Sequence, residues 1–237
     1  MRKKFFEGVL LGGVVLLLSI GAHERNALWN DELALWKDCL KKSPHKDRTH
    51  SHVGFVYYER GQWDEAKKEF EEALRLNPRY APAMYNLGLT FYRKGFMDEA
   101  ALYSGKAFEL DSCYPESLFN LGLACFKKGS YREAAKAYEM FLGLRPEYEN
   151  GHNYLGLTYQ ALKRWDDAIR SFHEELKHHP GNIDVHLYLG DLYQKRKDYE
   201  KALYHFRKAL TYPGLYDAER VKKAIVSIEK VWKRKRA

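Results

Sequence analysis

The sequence predicts an all-α solenoid, and three observations carry that prediction. Glycine stands at 54, 88, 122, 156 and 190 and alanine at 66, 100, 134, 168 and 202, both in steps of 34 residues. Within a step the apolar residues fall at helical spacing, as in Met84, Leu87 and Phe91 or Leu118, Leu121 and Cys125, which puts them on one helix face. Pro78, Pro146, Pro180 and Pro213 punctuate the steps, where a missing N–H and a fixed φ stop a helix. Self-similarity of this kind marks stacked helix-turn-helix units that bury their apolar faces only against one another.

Taken in order, the chain opens with Arg2, Lys3 and Lys4 before a nearly unbroken apolar run from Gly8 to Ala22. Positive charge ahead of an apolar helix keeps the N-terminus in the cytoplasm and sends the downstream chain across the membrane. Residues 1–24 therefore read as a single-pass signal-anchor or transmembrane helix, with the repeats extracytoplasmic and, in a Gram-negative cell, periplasmic. Phe5 and Phe6 lengthen a run that is short against the roughly 20 residues of a full span. The alternative is a signal peptide cleaved after small residues such as Ser19 and Gly21, leaving a secreted or periplasmic protein.

Residues 25–46 form a junction and a half-repeat: Asp31 to Lys42, followed by Ser43 and Pro44, reads as the second helix of an incomplete unit covering the first full one. Five repeats come next, at 47–80, 81–114, 115–148, 149–182 and 183–214. Position 8 of each is the recurring glycine and position 20 the alanine, small residues that let the paired helices approach. Gly61, Gly95 and Gly129 at position 15 provide a turn of positive φ, whereas Lys163 and Lys197 occupy it in the last two repeats. Large residues at position 17, Trp63 and Trp165 among them, are expected to plug the gap beneath the turn. Acidic pairs such as Asp64 with Glu65 then open the second helix, at the positive end of its dipole. Residues 215–237 complete the chain as a capping helix with Val221, Ile225, Ile228 and Trp232 on one face, ending in a basic tail.

Small residues at positions 8 and 20, an aromatic residue at 24 (Phe70, Tyr138, Phe172, Phe206) and proline near 32 recur together, and this pattern resembles the tetratricopeptide repeat (TPR) family over residues 47–214. Repeat two departs from it, with Ser104 at position 24 and Ser112 at 32, and is expected to pack more loosely. The resemblance implies a right-handed superhelical solenoid of antiparallel helix pairs whose concave surface is lined by the first helix of each repeat. Carried over residue by residue, that surface holds His52, Tyr58, Tyr85, Asn86, Tyr92, Arg93, Phe119, Asn120, Phe126, Lys127, Asn153, Tyr154, Tyr188 and Asp191. The surface is aromatic and amide-rich, which suits an extended peptide, since an asparagine side chain both donates to and accepts from a backbone. Asn86 and Asn120, each within Asn-Leu-Gly-Leu, resemble the asparagine ladder of the O-linked N-acetylglucosamine transferase superhelix; the alternative is that they bond only within or between repeats. Position 9 reads Phe55, Leu89, Leu123, Leu157 and Asp191, so the asparagine of the family's carboxylate clamp is absent.

The net charge of +8 and sequence pI near 9.2 permit an acidic partner. Much of the excess sits in the tail, where Lys233, Arg234, Lys235 and Arg236 could touch an anionic surface, and the repeats carry mixed charge. Nucleic acid is therefore not an expected partner. Three cysteines, Cys39, Cys113 and Cys125, form neither a disulfide framework nor a zinc spacing, and the register puts Cys39 and Cys125 at small buried positions. His173 and His178 are five apart rather than the four a zinc-protease helix needs; the register places His173 outward, on a solvated face. His45, His50 and His52 are the other histidine cluster, with His50 at a packing position and His52 toward the groove. No phosphate loop, nucleophile elbow or paired catalytic carboxylates stand out, so neither a catalytic residue, a metal nor a cofactor is expected, and the chain reads as a non-enzyme.

Arg25, Asn26, Trp29, Asp31, Glu32, Leu35 and Trp36 are spaced like the junction after the last membrane helix in multi-pass glycosyltransferases with TPR tails, the transmembrane O-mannosyltransferase family among them. That likeness implies a glycosyltransferase partner, because the catalytic part itself is missing. The leading expectation is a membrane-anchored adaptor that holds an extended protein segment in its groove and supports assembly of an envelope complex. The alternative is an accessory subunit of a membrane glycosylation or polymer-assembly system.

Overall fold

The computed structural model describes residues 31–212 and 218–236, which form twelve α-helices and no strand. They are α1 (Glu32–Lys42), α2 (Asp47–Glu59), α3 (Trp63–Leu76), α4 (Ala81–Lys94), α5 (Met97–Leu110), α6 (Glu116–Lys128), α7 (Tyr131–Leu144), α8 (Gly151–Ala161), α9 (Trp165–His178), α10 (Ile183–Lys195), α11 (Tyr199–Thr211) and α12 (Ala218–Arg236). The expected membrane helix over 1–24 and the Arg25, Asn26 and Trp29 part of the junction motif lie outside the described residues. No described helix is long and apolar enough to cross a membrane.

The turn inside each repeat shows how local sequence sets the fold. Gly61, Gly95 and Gly129 take φ of 71°, 87° and 86°, and Lys163 and Lys197 adopt the same left-handed conformation at 60° and 63°. In all five repeats the next N–H reaches back to the carbonyl five residues earlier: Gln62 to Tyr57, Phe96 to Phe91, Ser130 to Cys125, Arg164 to Tyr159 and Asp198 to Tyr193, at 2.8–2.9 Å. This is the 6→1 bond of a Schellman turn, and it satisfies carbonyls that the ending helix leaves open. Acidic residues then occupy the first turn of the following helix, as with Asp64 and Glu65 or Asp166 and Asp167.

Packing between paired helices rests on a ring placed over a glycine. A Cβ built on Gly122 would lie 2.5 Å from the Tyr138 ring, one on Gly156 2.5 Å from Phe172, and one on Gly190 2.6 Å from Phe206. These distances are far below contact, so even alanine would force the ring or the helix to move, although it favours helix by about 1 kcal/mol over glycine. Position 24 thus fills the space that position 8 leaves.

By contacts the chain divides into two compact units. The first runs to Phe96 and includes Glu109–Asp111; the second comprises Met97–Phe108 and everything from Ser112 onward. The division falls inside repeat two, the repeat whose position 24 is Ser104 rather than a ring. In the first unit α1 packs on α2, which pairs with α3, and α3 contacts α4. In the second, α6 pairs with α7, α8 with α9 and α10 with α11, while α7–α8, α9–α10 and α11–α12 contacts join them. Its core gathers Tyr138, Phe141, Phe172, Leu189 and Phe206, with Val221 and Ile228 of α12 buried at the C-terminal side.

Trp63 and Trp165, expected beneath the turns, each begin their helix and remain 39% exposed. Two expectations are corrected. Cys39 is only half-buried, unlike Cys125. His173 does not face solvent: it is half-buried, with its Nε2 3.0 Å from the Tyr193 hydroxyl and its ring 5.6 Å from that of His205.

Candidate functional site

The second compact unit contains a cleft of about 790 Å³. One side is the start of α8 with Glu149 and Asn150, the centre is the face of α10 with Asp184, Leu187, Tyr188 and Asp191, and the far wall is α12 with Arg220 and Val221. Phe206, the ring that covers Gly190, closes the floor. The geometry of the repeat therefore creates the cleft: position 5, 6 and 9 residues of repeat five project into space that the next helix, α12, bounds.

Helix N-termini usually offer free N–H groups and a positive dipole end, and here side chains occupy part of that set. Glu175, fully buried on α9, accepts from the backbone N–H of Asn150 at 2.9 Å and of Asn153 at 3.2 Å, capping α8. Asn150 itself sits at φ 62° and receives the Asn182 side-chain amide on its Oδ1 at 3.0 Å. The Asn182 Oδ1 in turn accepts from the N–H of Val185, capping α10.

The carboxylates at the rim are left without such partners. Among the described residues Glu149, Asp184 and Asp191 make no hydrogen bond and no ion pair. Partial desolvation in the cleft pushes the Asp191 carboxyl up from its ordinary value, against the pull of Arg220 and Lys195. Tyr188 is half-buried with its ring 5.5 Å from that of Phe172, and burial likewise raises its phenol.

Helices α9, α10 and α11 also bring together a histidine cluster in which His186 and His205 are buried and His173 is half-buried. The Pro180 carbonyl, which can only accept, is 3.2 Å from His186 Nε2, so that nitrogen carries the proton. His186 Nδ1 then accepts from His205 Nδ1 at 3.0 Å. Desolvation first, and the neighbouring His186 and His173 next, push the pKa of His205 down to about 4. Burial also lowers His186 and His173, assisted by Lys208 and Lys201 respectively. The histidine-to-proline-carbonyl bond recurs at position 4: His50 Nε2 lies 3.1 Å from the Pro44 carbonyl, and His152 Nε2 3.2 Å from that of Pro146. His50 also contacts Glu69 at 2.7 Å. These are structural ties, and no described group of three or more candidate ligands could hold a metal.

Of the groove residues expected from the sequence, the structure brings Tyr188 and Asp191 to this cleft. Phe119 and Tyr154, expected to face a ligand, are half-buried, and Phe119 packs within 5.1–5.5 Å of the rings of Tyr138, Phe141, Tyr148 and Tyr154. Asn120 and Asn153 are both buried, with Asn120 Nδ2 and Asn153 Oδ1 lacking partners among the described residues. Phe126 packs on Tyr131 at 5.4 Å, and Lys127 is exposed. In the first unit His52 is stacked by Trp36 of α1 at 4.2 Å and 7°, and Arg93 donates to the Tyr58 hydroxyl at 3.1 Å. Tyr85, Asn86 and Tyr92 are half-buried there, so Asn86 and Asn120 belong to different units. Lys233 and Arg234 are exposed near the end of α12, whereas the side chains of Lys235 and Arg236 lie outside the described residues. Glu175, His205 and Arg220 are additions that sequence reasoning misses. The signal for Glu175 is its register: position 27 is Ala73, Ala107, Phe141 and Ala209 in the other repeats.

Comparison with known proteins places this geometry. Residues 54–95 match a TPR repeat model, and residues 115–148 and 148–212 match two tetratricopeptide repeat models, together more than half of the chain. Among solved structures, YrrB, described as a TPR protein with an unusual peptide-binding site, is 20% identical with a TM-score of 0.69, covering 79% of this chain and 97% of its own. MamA from Desulfovibrio magneticus RS-1 is 20% identical with a TM-score of 0.65, covering 73% and 95%. PilF from Pseudomonas aeruginosa is 22% identical with a TM-score of 0.62, covering 79% and 90%. No curated protein matches the sequence. With repeat models matching in both compact units, on helices that keep the register read from the sequence, the chain belongs to the tetratricopeptide-repeat family.

Proposed function

We propose that the chain is a protein-interaction scaffold that holds a segment of a partner protein in the cleft of its second compact unit. The observation that carries this reading is the cleft: about 790 Å³, with an apolar floor of Leu187, Tyr188 and Phe206 beneath a polar rim. Sites that bury most of a small ligand are concave, largely apolar and within about 300–1,000 Å³. The likeness in fold to YrrB, described as having a peptide-binding site, supports the reading in kind. The test is to fill the cleft from α12 with Ala224→Trp in the full chain. Peptide binding is expected to fall at least tenfold while the helical circular dichroism is retained; unchanged binding by a folded variant would remove the cleft from the mechanism.

Residues 1–24 tether this scaffold to a membrane in the same reading, with the repeats on the extracytoplasmic side, where the bound segment would be brought to an envelope complex. The order of Arg2, Lys3 and Lys4 before the apolar run supports it. The full chain is expected to stay with membranes through an alkaline carbonate wash. Recovery in the soluble fraction would leave the scaffold without its anchor.

A further inference from the structure

We infer that the cleft selects a cationic segment, one in which an arginine or lysine stands beside an apolar side chain, with Asp191 as the residue that receives the charge. This inference rests on the peptide-binding reading of the same cleft and adds the ligand's chemistry to it.

The charge of the cleft is opposite to that of the protein. The chain carries 40 basic and 32 acidic residues for a net charge of +8, yet the lining presents Glu149, Asp184 and Asp191 against Arg220. An acidic concavity on a basic molecule attracts cations only locally, because the long-range field repels them; selection there must come from contact rather than from steering.

The usual reason to expect an anion at such a place is in part cancelled. The N-termini of α8 and α10 both open on the cleft, but Glu175 holds the N–H groups of Asn150 and Asn153 and the Asn182 side chain that of Val185, so part of each anion-binding end is already taken. Glu149 and Asp184 stand in front of those same termini. An incoming carboxylate would meet three like charges against the single Arg220 and find the N–H groups of Asn150, Asn153 and Val185 taken.

Asp191 is the point of engagement. It lies on α10 one turn beyond Leu187 and Tyr188, so a side chain running along that face would pass an apolar step and an aromatic ring before reaching the carboxylate. Arginine and lysine have that build, a hydrocarbon stem with a cation at its tip, and the Tyr188 ring adds a face for the cation. The desolvation that raises the Asp191 carboxyl is a cost that an ordered cation would offset.

The experiment measures fluorescence anisotropy of three labelled hexapeptides against the full chain in nonionic detergent: alternating leucine with arginine, with glutamine or with glutamate. The arginine peptide is expected to bind about tenfold more tightly than the glutamine peptide, the factor that about 1.4 kcal/mol represents, and the glutamate peptide most weakly. Asp191→Asn should abolish the advantage of arginine while leaving the glutamine peptide unchanged, and Asp191→Lys should transfer the preference to glutamate. Equal binding of arginine and glutamine peptides, with no effect of Asp191→Asn, overturns the charge selection but leaves the cleft as a peptide site. Failure of all three peptides to bind, or binding indifferent to Ala224→Trp, overturns the site itself. Self-association lost on removing residues 233–236 would assign the cleft to the tail of a second copy and overturn a separate partner.

Discussion

Lowering the pH from 7 to 4 is expected to destabilise the protein by roughly 3 kcal/mol through His205 alone. The ring is buried on α11, with Nδ1 against His186 and its faces against Tyr193 and His173, and its pKa is held down to about 4 from 6.5. An unfolded chain takes up a proton near pH 6.5, and the folded one does so only near pH 4. Stability from this source is therefore complete above about pH 6.5 and is lost as the pH falls between those values. His186 and His173, shifted in the same direction, steepen the loss. The groups facing the cluster do not relieve it: Lys201, Lys208 and Lys177 oppose protonation, and Glu174 alone among the charged neighbours favours it. Melting temperatures of the wild type and His205→Gln at pH 7.5, 5.5 and 4.5 test this. The variant should lose less on acidification; parallel losses would show that His205 does not carry the effect.

Glu175→Leu is expected to cost about 2–4 kcal/mol, the penalty of leaving two buried N–H groups without acceptors. Leucine matches the volume, so the loss would measure polar satisfaction rather than a cavity. Glu175→Gln, which keeps one acceptor, should cost less than half as much. Urea midpoints decide the matter: a leucine variant as stable as the wild type would mean that water or the neighbouring Asn182 replaces the carboxylate. Since the same side chain fixes Asn150 at the mouth of the cleft, the leucine variant should also bind peptide more weakly at temperatures where it remains folded.

The helix pairs are legible in the sequence because a 34-residue register assigns every residue to a face. Position 8 glycine, position 20 alanine and position 24 ring set the pairing that the structure shows, and the α12 stripe of Val221 and Ile228 marks its buried face. The site is legible only in part. Register says which way a side chain leaves its helix but not what its neighbours do to it: Phe119 is flanked by Tyr148 at the end of its own repeat and by Tyr154 of the next one, which leave it half-buried. Tyr188 and Asp191 stay accessible because α12 succeeds repeat five at a different spacing. His173 departs from its expected face for a related reason, since the helix face opposite its own partner is buried by α10.

The shared turn has a consequence for how such a protein changes over time. The Schellman bond is made in every repeat, whether glycine or lysine occupies the left-handed position. Leaving glycine there costs about 1–2 kcal/mol, so the letters of a repeat can drift while its geometry holds. What the protein inherits is a spacing of backbone bonds, and the faces between those bonds remain open to acquire new ligands.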